Sequence, residues 1–205
     1  MQAWRNGLEK ELARALVENN ALLLGDFTLS SGKKSPVYID MRALLSSPRG
    51  YRVAATALAA AIASCTGVGD YCVAGVATGG IAWATLAAYM LGLPSGYVRA
   101  GRKPHGLSRS VEGCRGASRV VVVDDVATTG GSLLSAVKAL RENGYSVEAA
   151  AVLVDREQGA REALTGIGVQ FCSVTTLTGL LAAAASLGLM PREEVERALR
   201  ELGAD

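Results

Sequence analysis

The sequence is poor in aromatic residues and in histidine. Phenylalanine, tryptophan and tyrosine make up 5% of its 205 residues and there is one histidine, although 50% of the residues are hydrophobic. The core must therefore be built from alanine, valine and leucine. A formal net charge of +2 is too small to indicate a nucleic-acid-binding protein by itself. A chain of this length is expected to form one domain that buries roughly 70% of its unfolded surface.

The cysteines give no sign of a metal site. Cys65, Cys72, Cys114 and Cys172 include no Cys-x-x-Cys pair, and with one histidine in the chain a zinc site is not expected. Three of them lie in apolar segments, so we expect small core residues there. Cys114 lies in a polar segment and is assigned no role.

Long hydrophobic runs are also absent. The longest, residues 53–63 and 81–91, fall far short of the ~20 residues that span a bilayer. The N-terminal segment has acidic residues in a helical pattern, which is not typical of a signal peptide. We therefore expect a soluble, cytoplasmic protein that binds neither membranes nor nucleic acid.

The most informative segment is 120–132, Val-Val-Val-Val-Asp-Asp-Val-Ala-Thr-Thr-Gly-Gly-Ser. Four valines indicate a strand covered on both faces, as in a parallel sheet, where ligands bind beyond the carboxyl ends of the strands. Asp124 and Asp125 are expected at that end, pointing to different sides, and are suited to sugar hydroxyls or a hydrated Mg²⁺. The hydroxyls, glycines and helix N-terminus that follow are suited to a phosphate.

Two other interpretations of this segment are weaker. An ordinary strand, turn and helix with a solvated acidic turn explains two carboxylates, but not the ordered set of hydroxyls and glycines after them. Other phosphate motifs do not fit. No Gly-x-Gly-x-x-Gly follows a strand, and the P-loop-like spacing of 101–106 has Leu107 where the lysine must be.

Strand and helix patterns alternate through the middle of the chain, which predicts an α/β fold with a parallel sheet flanked by helices. The predicted strands are 71–76, 95–99, 120–125, 147–154 and 169–174; the predicted helices are 4–19, 48–64, 79–91, 131–143, 157–164 and one from Pro191 onward. Two short strands are expected within 27–40. Residues 1–45 and the C-terminal helix are expected to form a small hood over the sheet edge. Residues 99–118, rich in Gly, Arg and Ser, predict a mobile functional loop.

These motifs resemble those of the type I phosphoribosyltransferases, and more narrowly the orotate phosphoribosyltransferase family. Segment 120–132 resembles the family's signature for phosphoribosyl pyrophosphate (PRPP). Four more segments occur in the family's order and spacing: 27–40, 75–80, 97–106 and 155–159. The resemblance covers nearly the whole chain. It implies one phosphoribosyltransferase domain over 1–205 that joins PRPP and orotate into orotidine 5′-phosphate and pyrophosphate, in de novo pyrimidine biosynthesis, with Mg²⁺ as cofactor.

The resemblance also implies roles for individual residues. Lys103 would be the general acid that helps pyrophosphate leave, while Asp124 and Asp125 would hold the ribose and act in catalysis. Mg²⁺ would be bound mainly through PRPP, with a water-mediated contact to either carboxylate left open. Contacts to PRPP are implied for Thr78, Gly79, Arg99, Lys103, His105, Asp124, Asp125, Val126, Ala127, Thr128, Thr129, Gly130, Gly131 and Ser132. Contacts to orotate are implied for Lys34, Tyr38, Thr128 and Arg156.

Family members share the loop between subunits, which implies a homodimer with loop 99–118 acting in trans. Three positions depart from many members, since Ser30, Gly79 and Ala100 stand where those members carry lysine. Two alternatives therefore stay open. A phosphoribosyltransferase for another base, such as a purine or uracil, would not need Arg156 against a carboxylate. A PRPP-sensing regulator without catalysis is favoured by the missing lysines. Without the family, Arg156 would be taken for a surface residue.

Overall fold

The structure, a computed structural model, describes residues 2–28, 32, 34–67, 69–99 and 110–203. The helices are α1 (Gln2–Glu18), α2 (Pro48–Thr66), α3 (Gly79–Leu91), α4 (Gly131–Glu142), α5 (Ala160–Thr165), α6 (Leu177–Ser186) and α7 (Arg192–Leu202), with a 3₁₀ helix at Met41–Ser46. The strands are β1 (Leu22–Thr28), β2 (Lys34–Ile39), β3 (Cys72–Val76), β4 (Ser95–Val98), β5 (Val111–Gly113), β6 (Arg119–Ala127), β7 (Ser146–Asp155) and β8 (Gln170–Thr176).

Six of the strands form the main sheet, in the order β5-β4-β3-β6-β7-β8. The pairs β3–β4, β3–β6 and β6–β7 are parallel, whereas β5 runs antiparallel to β4 at one edge. Helices follow β3, β6, β7 and β8 along the chain. The predicted α/β fold, a mostly parallel sheet flanked by helices, is confirmed.

The core is built from small aliphatic residues, as the composition predicts. Val120, Val121, Val122 and Val123 are each at most 2% exposed, which confirms a strand covered on both faces. Val120 and Val122 pack in one cluster with an alanine each from β3 and β7 and with the buried leucines of α4. Within the described ranges, no helix has both the length and the apolar character needed to cross a bilayer.

Contacts divide the chain into two compact units. The first comprises Met1–Ala54 and Thr175–Asp205, and the second comprises Ala55–Val174, which holds the main sheet. In the first unit two strands are present as predicted and pair antiparallel, but β1 begins at Leu22, before the predicted range 27–40, because Leu22 pairs with Ile39. The helix α6 was not predicted from the sequence. Its segment is apolar and alanine-rich without a polar stripe, and Thr176 caps it by accepting a hydrogen bond from the N–H of Gly179 at 3.1 Å.

Part of the predicted loop 99–118 is a strand. β5 has three residues and pairs with β4 through Gly96 opposite Gly113 and Val98 opposite Val111. A strand of three residues is too short to show the alternating pattern by which strands are predicted from a sequence. Residues 100–109 lie outside the described residues.

Cys72 and Cys172 are buried, as expected of core residues, but the sequence did not predict that the cysteines are paired. Disulfides join Cys65 to Cys172 and Cys72 to Cys114. They span 107 and 42 residues, so they could not be predicted from the local spacing of the cysteines. Cys114, predicted to lie in a polar loop, is 2% exposed. A Cβ added to Gly96 would lie 2.7 Å from its sulfur, so a residue without a side chain is needed in β4 at this point.

Candidate active site

The two adjacent carboxylates lie inside β6, which continues for two residues beyond Asp125. Pairing with β7 keeps the strand extended as far as Ala127, which lies opposite Asp155. On its other side, pairing with β3 stops at Val123. Asp124 and Asp125 therefore have a neighbouring strand on one side only, and the predicted end of the strand is corrected by two residues.

Burial separates the two carboxylates electrostatically. Asp124 is 9% exposed, while Asp125 is half-buried. The pKa of Asp124 is raised to about 8, mainly by burial and secondly by the nearby Asp125 carboxylate. Each carboxylate accepts one hydrogen bond from the next backbone N–H: Asp124 from Asp125 at 3.0 Å, and Asp125 from Val126 at 2.8 Å. Burial thus favours the protonated form of Asp124 when no ligand is bound.

The glycine-rich segment 75–80 packs directly on this acid pair. A Cβ on Gly80 would lie 2.3 Å from the Val123 carbonyl oxygen, and one on Gly79 would lie 2.8 Å from Oδ2 of Asp125. The peptide bond before Thr78 is cis. Thr78 is exposed and directly precedes α3. This turn therefore lies beside Asp125, where an anion-binding turn would meet the same ligand as the acid pair.

The segment after β6 forms the predicted tight turn and helix. Gly130 has φ of 80°, a conformation that favours glycine, and α4 begins at the next residue. A Cβ on Gly130 would also lie 3.2 Å from Cα of Ala160. Thr128, Thr129, Gly131 and Ser132 are exposed. Their hydroxyls and free helix N–H groups are open to a phosphate.

Arg156 is buried, contrary to the expectation of a surface residue. It follows the last residue of β7, is 7% exposed, and donates its backbone N–H to the carbonyl of Ala127 at 2.8 Å. Burial lowers the pKa of its guanidinium. The sequence alone does not indicate this burial, because arginine is mostly an exposed residue.

A cavity of about 460 Å³ joins three of the predicted PRPP-binding segments. Ala77, Arg99 and Ser132 all line it. Arg99 is exposed and donates a hydrogen bond to the Glu112 carboxylate at 3.1 Å. Asp124, Asp125 and Arg156 do not line this cavity. Lys103 and His105 lie outside the described residues.

The other two predicted orotate-binding residues belong to the first unit. The Tyr38 ring lies 5.4 Å from the Phe27 ring, between centroids. Lys34 is exposed, donates a hydrogen bond from Nζ to the Thr28 hydroxyl at 3.0 Å, and lines a cavity of about 490 Å³ with Phe27 and Glu201.

Comparisons with known proteins agree on one family. The family model for the phosphoribosyl transferase domain matches residues 40–173. An orotate phosphoribosyltransferase of Aeropyrum pernix is 49% identical over 174 residues, which cover 85% of this chain and 93% of the relative. The chain belongs to the orotate phosphoribosyltransferase family.

Two solved structures of orotate phosphoribosyltransferases extend the likeness to the fold. The crystal structure of the Aeropyrum pernix protein matches with a TM-score of 0.75 at 47% identity, and covers 87% of this chain and 99% of that chain. That of the Mycobacterium tuberculosis H37Rv protein, in complex with PRPP, matches with a TM-score of 0.67 at 31% identity, and covers 84% and 98%.

Of the three departures from lysine-bearing members of the family, only Gly79 lies in the described residues. Its Cα lies beside the Asp125 carboxylate, so the position is near the acid pair. Ser30 and Ala100 lie outside the described residues. Sequence reasoning also missed Asp155, a carboxylate only 4% exposed at the end of β7. The available signal was its place as the last residue of a buried strand.

The described residues supply no complete metal site of their own, because no group of three or more His, Cys, Asp or Glu side chains comes together among them. The two carboxylates of β6 are nonetheless oxygen donors of the kind that Mg²⁺ takes, and Mg²⁺ is commonly held by one or two carboxylates together with substrate phosphates. This donor set fits an ion carried by a phosphorylated substrate.

Proposed function

We propose that the protein transfers the 5-phosphoribosyl group of PRPP to N1 of orotate. The products are orotidine 5′-phosphate and pyrophosphate, in de novo pyrimidine biosynthesis. The observation that carries this proposal is the convergence, at one edge of the main sheet, of an acid pair, two glycine-rich turns and a buried arginine. Membership of the orotate phosphoribosyltransferase family supports the choice of base.

The ribose 5-phosphate part of PRPP is assigned to β6 and the turn after it. The hydroxyls of Thr128, Thr129 and Ser132, with the first N–H groups of α4, bind the phosphate. Asp124 and Asp125 accept hydrogen bonds from the ribose hydroxyls. The negative charge of Asp125, and of Asp124 in its ionised form, also stabilises the positive charge that develops on the ribose ring as its glycosidic bond breaks.

The pyrophosphate part is assigned to the turn at Thr78-Gly79 and to the cation of Arg99. Lys103 and His105 complete this side, and Lys103 donates a proton to the leaving pyrophosphate. These two assignments rest on the sequence alone. Mg²⁺, held by pyrophosphate and through water by Asp124 or Asp125, would supply neutralisation of the leaving group's charge.

The acceptor is assigned to Arg156, with Thr128, Tyr38 and Lys34 as further contacts. The guanidinium offers a planar fork of N–H donors that matches a carboxylate with two hydrogen bonds. Among the bases considered, only orotate carries a carboxylate. A purine or uracil carries no carboxylate for this guanidinium to bind, which argues against the alternative acceptors.

A homodimer that shares loop 99–118 in trans is part of the proposal. Support comes from α3, which contains no charged residue and yet leaves Tyr89 84% exposed and Met90 43% exposed. A helix that is apolar on all sides is normally covered on all sides. A second copy of the chain is the proposed cover. A cytoplasmic location stays a prediction.

Replacing Arg156 tests the acceptor assignment. In Arg156→Ala, kcat/KM for orotate should fall about 10- to 100-fold, because a hydrogen bond to a charged group contributes roughly 1.5–3 kcal/mol. Affinity for PRPP, followed by its thermal-shift response, should stay within about twofold of the parent.

Arg52→Ala is the matched control, since Arg52 is an exposed arginine of α2 with no assigned role. It should leave both parameters unchanged. Unaltered orotate kinetics in Arg156→Ala would refute the acceptor assignment. Equal loss of PRPP binding and orotate turnover would show a general collapse of the site.

A further inference from the structure

The turn after β7 carries Arg156 in an unusual backbone. Asp155 ends the strand, and Glu157 has φ of 59°, a left-handed conformation that residues with side chains rarely adopt. Gly159, with φ of 101°, then leads into α5. Such a turn holds its shape only if the surrounding structure fixes it.

The Asp155 carboxylate is the group that fixes this turn. Its Oδ1 accepts a hydrogen bond from the backbone N–H of Glu157 at 2.9 Å, across the residue that bears the guanidinium. A carboxylate accepting from the N–H two residues later closes a side-chain turn of this kind. The bond therefore restrains the φ and ψ angles of Arg156 from both sides.

A second contact ties the same carboxylate to the rest of the main sheet. Oδ2 of Asp155 lies 3.9 Å from the Arg161 guanidinium, which donates a hydrogen bond to the Phe171 carbonyl at 3.2 Å. That guanidinium also lies over the Phe171 ring, 5.1 Å from its centroid. Asp155 is thereby linked through α5 to β8.

The burial of the Asp155 carboxylate lowers the stability of the folded protein. Asp155 is 4% exposed, and burial raises the pKa of its carboxyl group. A buried carboxylate destabilises the protein unless its contacts offset the loss of water. The contacts found all act on the Arg156 turn or on its neighbour α5, and none of the chemistry assigned above uses this carboxylate.

We infer that Asp155 is a positioning residue for Arg156: it holds the turn from which the guanidinium meets the acceptor's carboxylate, and so sets affinity for the acceptor rather than for PRPP. The backbone of Arg156 is anchored to Ala127 of β6, so the PRPP side keeps its own support when Asp155 changes. This inference rests on the proposed function, in which Arg156 binds orotate.

The test compares Asp155→Ala with Asp155→Asn. The alanine variant should raise KM for orotate about tenfold or more, because small displacements of a binding group are costly, and leave KM for PRPP within about twofold. The asparagine variant keeps an oxygen that can accept from the Glu157 N–H, so it should recover most of the affinity for orotate.

Glu148→Ala is the matched control, since Glu148 lies on the same strand but pairs with Arg119 at an exposed site. It should change neither KM. Equal increases in both KM values for Asp155→Ala, or unchanged KM for orotate, would overturn the inference while wild-type turnover upholds the proposed function. Absence of orotate turnover in the wild type would overturn both.

Discussion

At the scale of the residue, Asp124 shows how the site trades stability for function. The folded protein holds a proton on this carboxyl up to a pKa of about 8, whereas an unfolded aspartic acid releases it near pH 4. Between these values the folded state binds more protons than the unfolded state, so its stability falls as the pH rises through this window. The charged form, which burial disfavours, is the form that the proposed reaction needs beside the ribose.

Asp124→Asn should therefore stabilise the protein at pH 8–9 and disable it. The melting temperature should exceed that of the wild type by several degrees, at about 2–4 °C for each kcal/mol, and the gain should vanish near pH 4. Thermal melts from pH 4 to 9, with Asp70→Asn as a control at an exposed carboxylate, measure this. A gain that does not depend on pH would contradict the account.

The residue scale also shows what a sequence can reveal about the site. Asp124 and Asp125 were predictable because their place follows from a run of valines that must be a buried strand. The burial of Arg156 and Asp155 was not predictable, because charged residues at the end of a strand are mostly exposed. Gly79 could be recognised as a departure from many family members, but its contact with Asp125 required coordinates.

At the scale of the element, long periodic segments were predictable and short ones were not. The strand β6 was predictable from its run of valines, and the amphipathic helix α4 from the helical spacing of its apolar residues. β5 has only three residues, and its position depends on β4 and on the disulfide at Cys114. Two disulfides are uncommon in cytoplasmic proteins other than those of hyperthermophiles. Both disulfides join cysteines that are far apart in sequence, so their contribution to stability could not be predicted from any local sequence pattern.

Removing the disulfide beside β5 should lower stability considerably. Closing a loop of 42 residues contributes up to about 4 kcal/mol by restricting the unfolded chain. The double variant Cys72→Ser with Cys114→Ser should melt roughly 8–15 °C lower than the parent.

Thiol titration of the unreduced, denatured parent should find no free thiol, because all four cysteines of the chain are paired. The matched comparison is Cys65→Ser with Cys172→Ser, which opens a longer loop and should lose at least as much. Four titratable thiols, or an unchanged melting temperature, would count against both links.

At the scale of the whole molecule, the chain is two compact units, and the assigned residues are divided between them. Arg156 and the PRPP-binding segments belong to Ala55–Val174, whereas Tyr38 and Lys34 belong to the other unit. Five segments in a fixed order were enough to predict the family, since each carries its own local pattern. The boundary at Ala54 was not predictable, because α2 continues through it without a break in pattern.

The most direct test of the account is an acceptor assay on the purified protein. PRPP, Mg²⁺ and orotate are incubated with it and the loss of orotate absorbance is followed, with uracil and purine bases as parallel acceptors. The account predicts consumption of orotate alone. Turnover of another base would contradict the role of Arg156. PRPP binding without any turnover would contradict catalysis itself and favour a PRPP-sensing regulator, in which the positions without lysine are disabling.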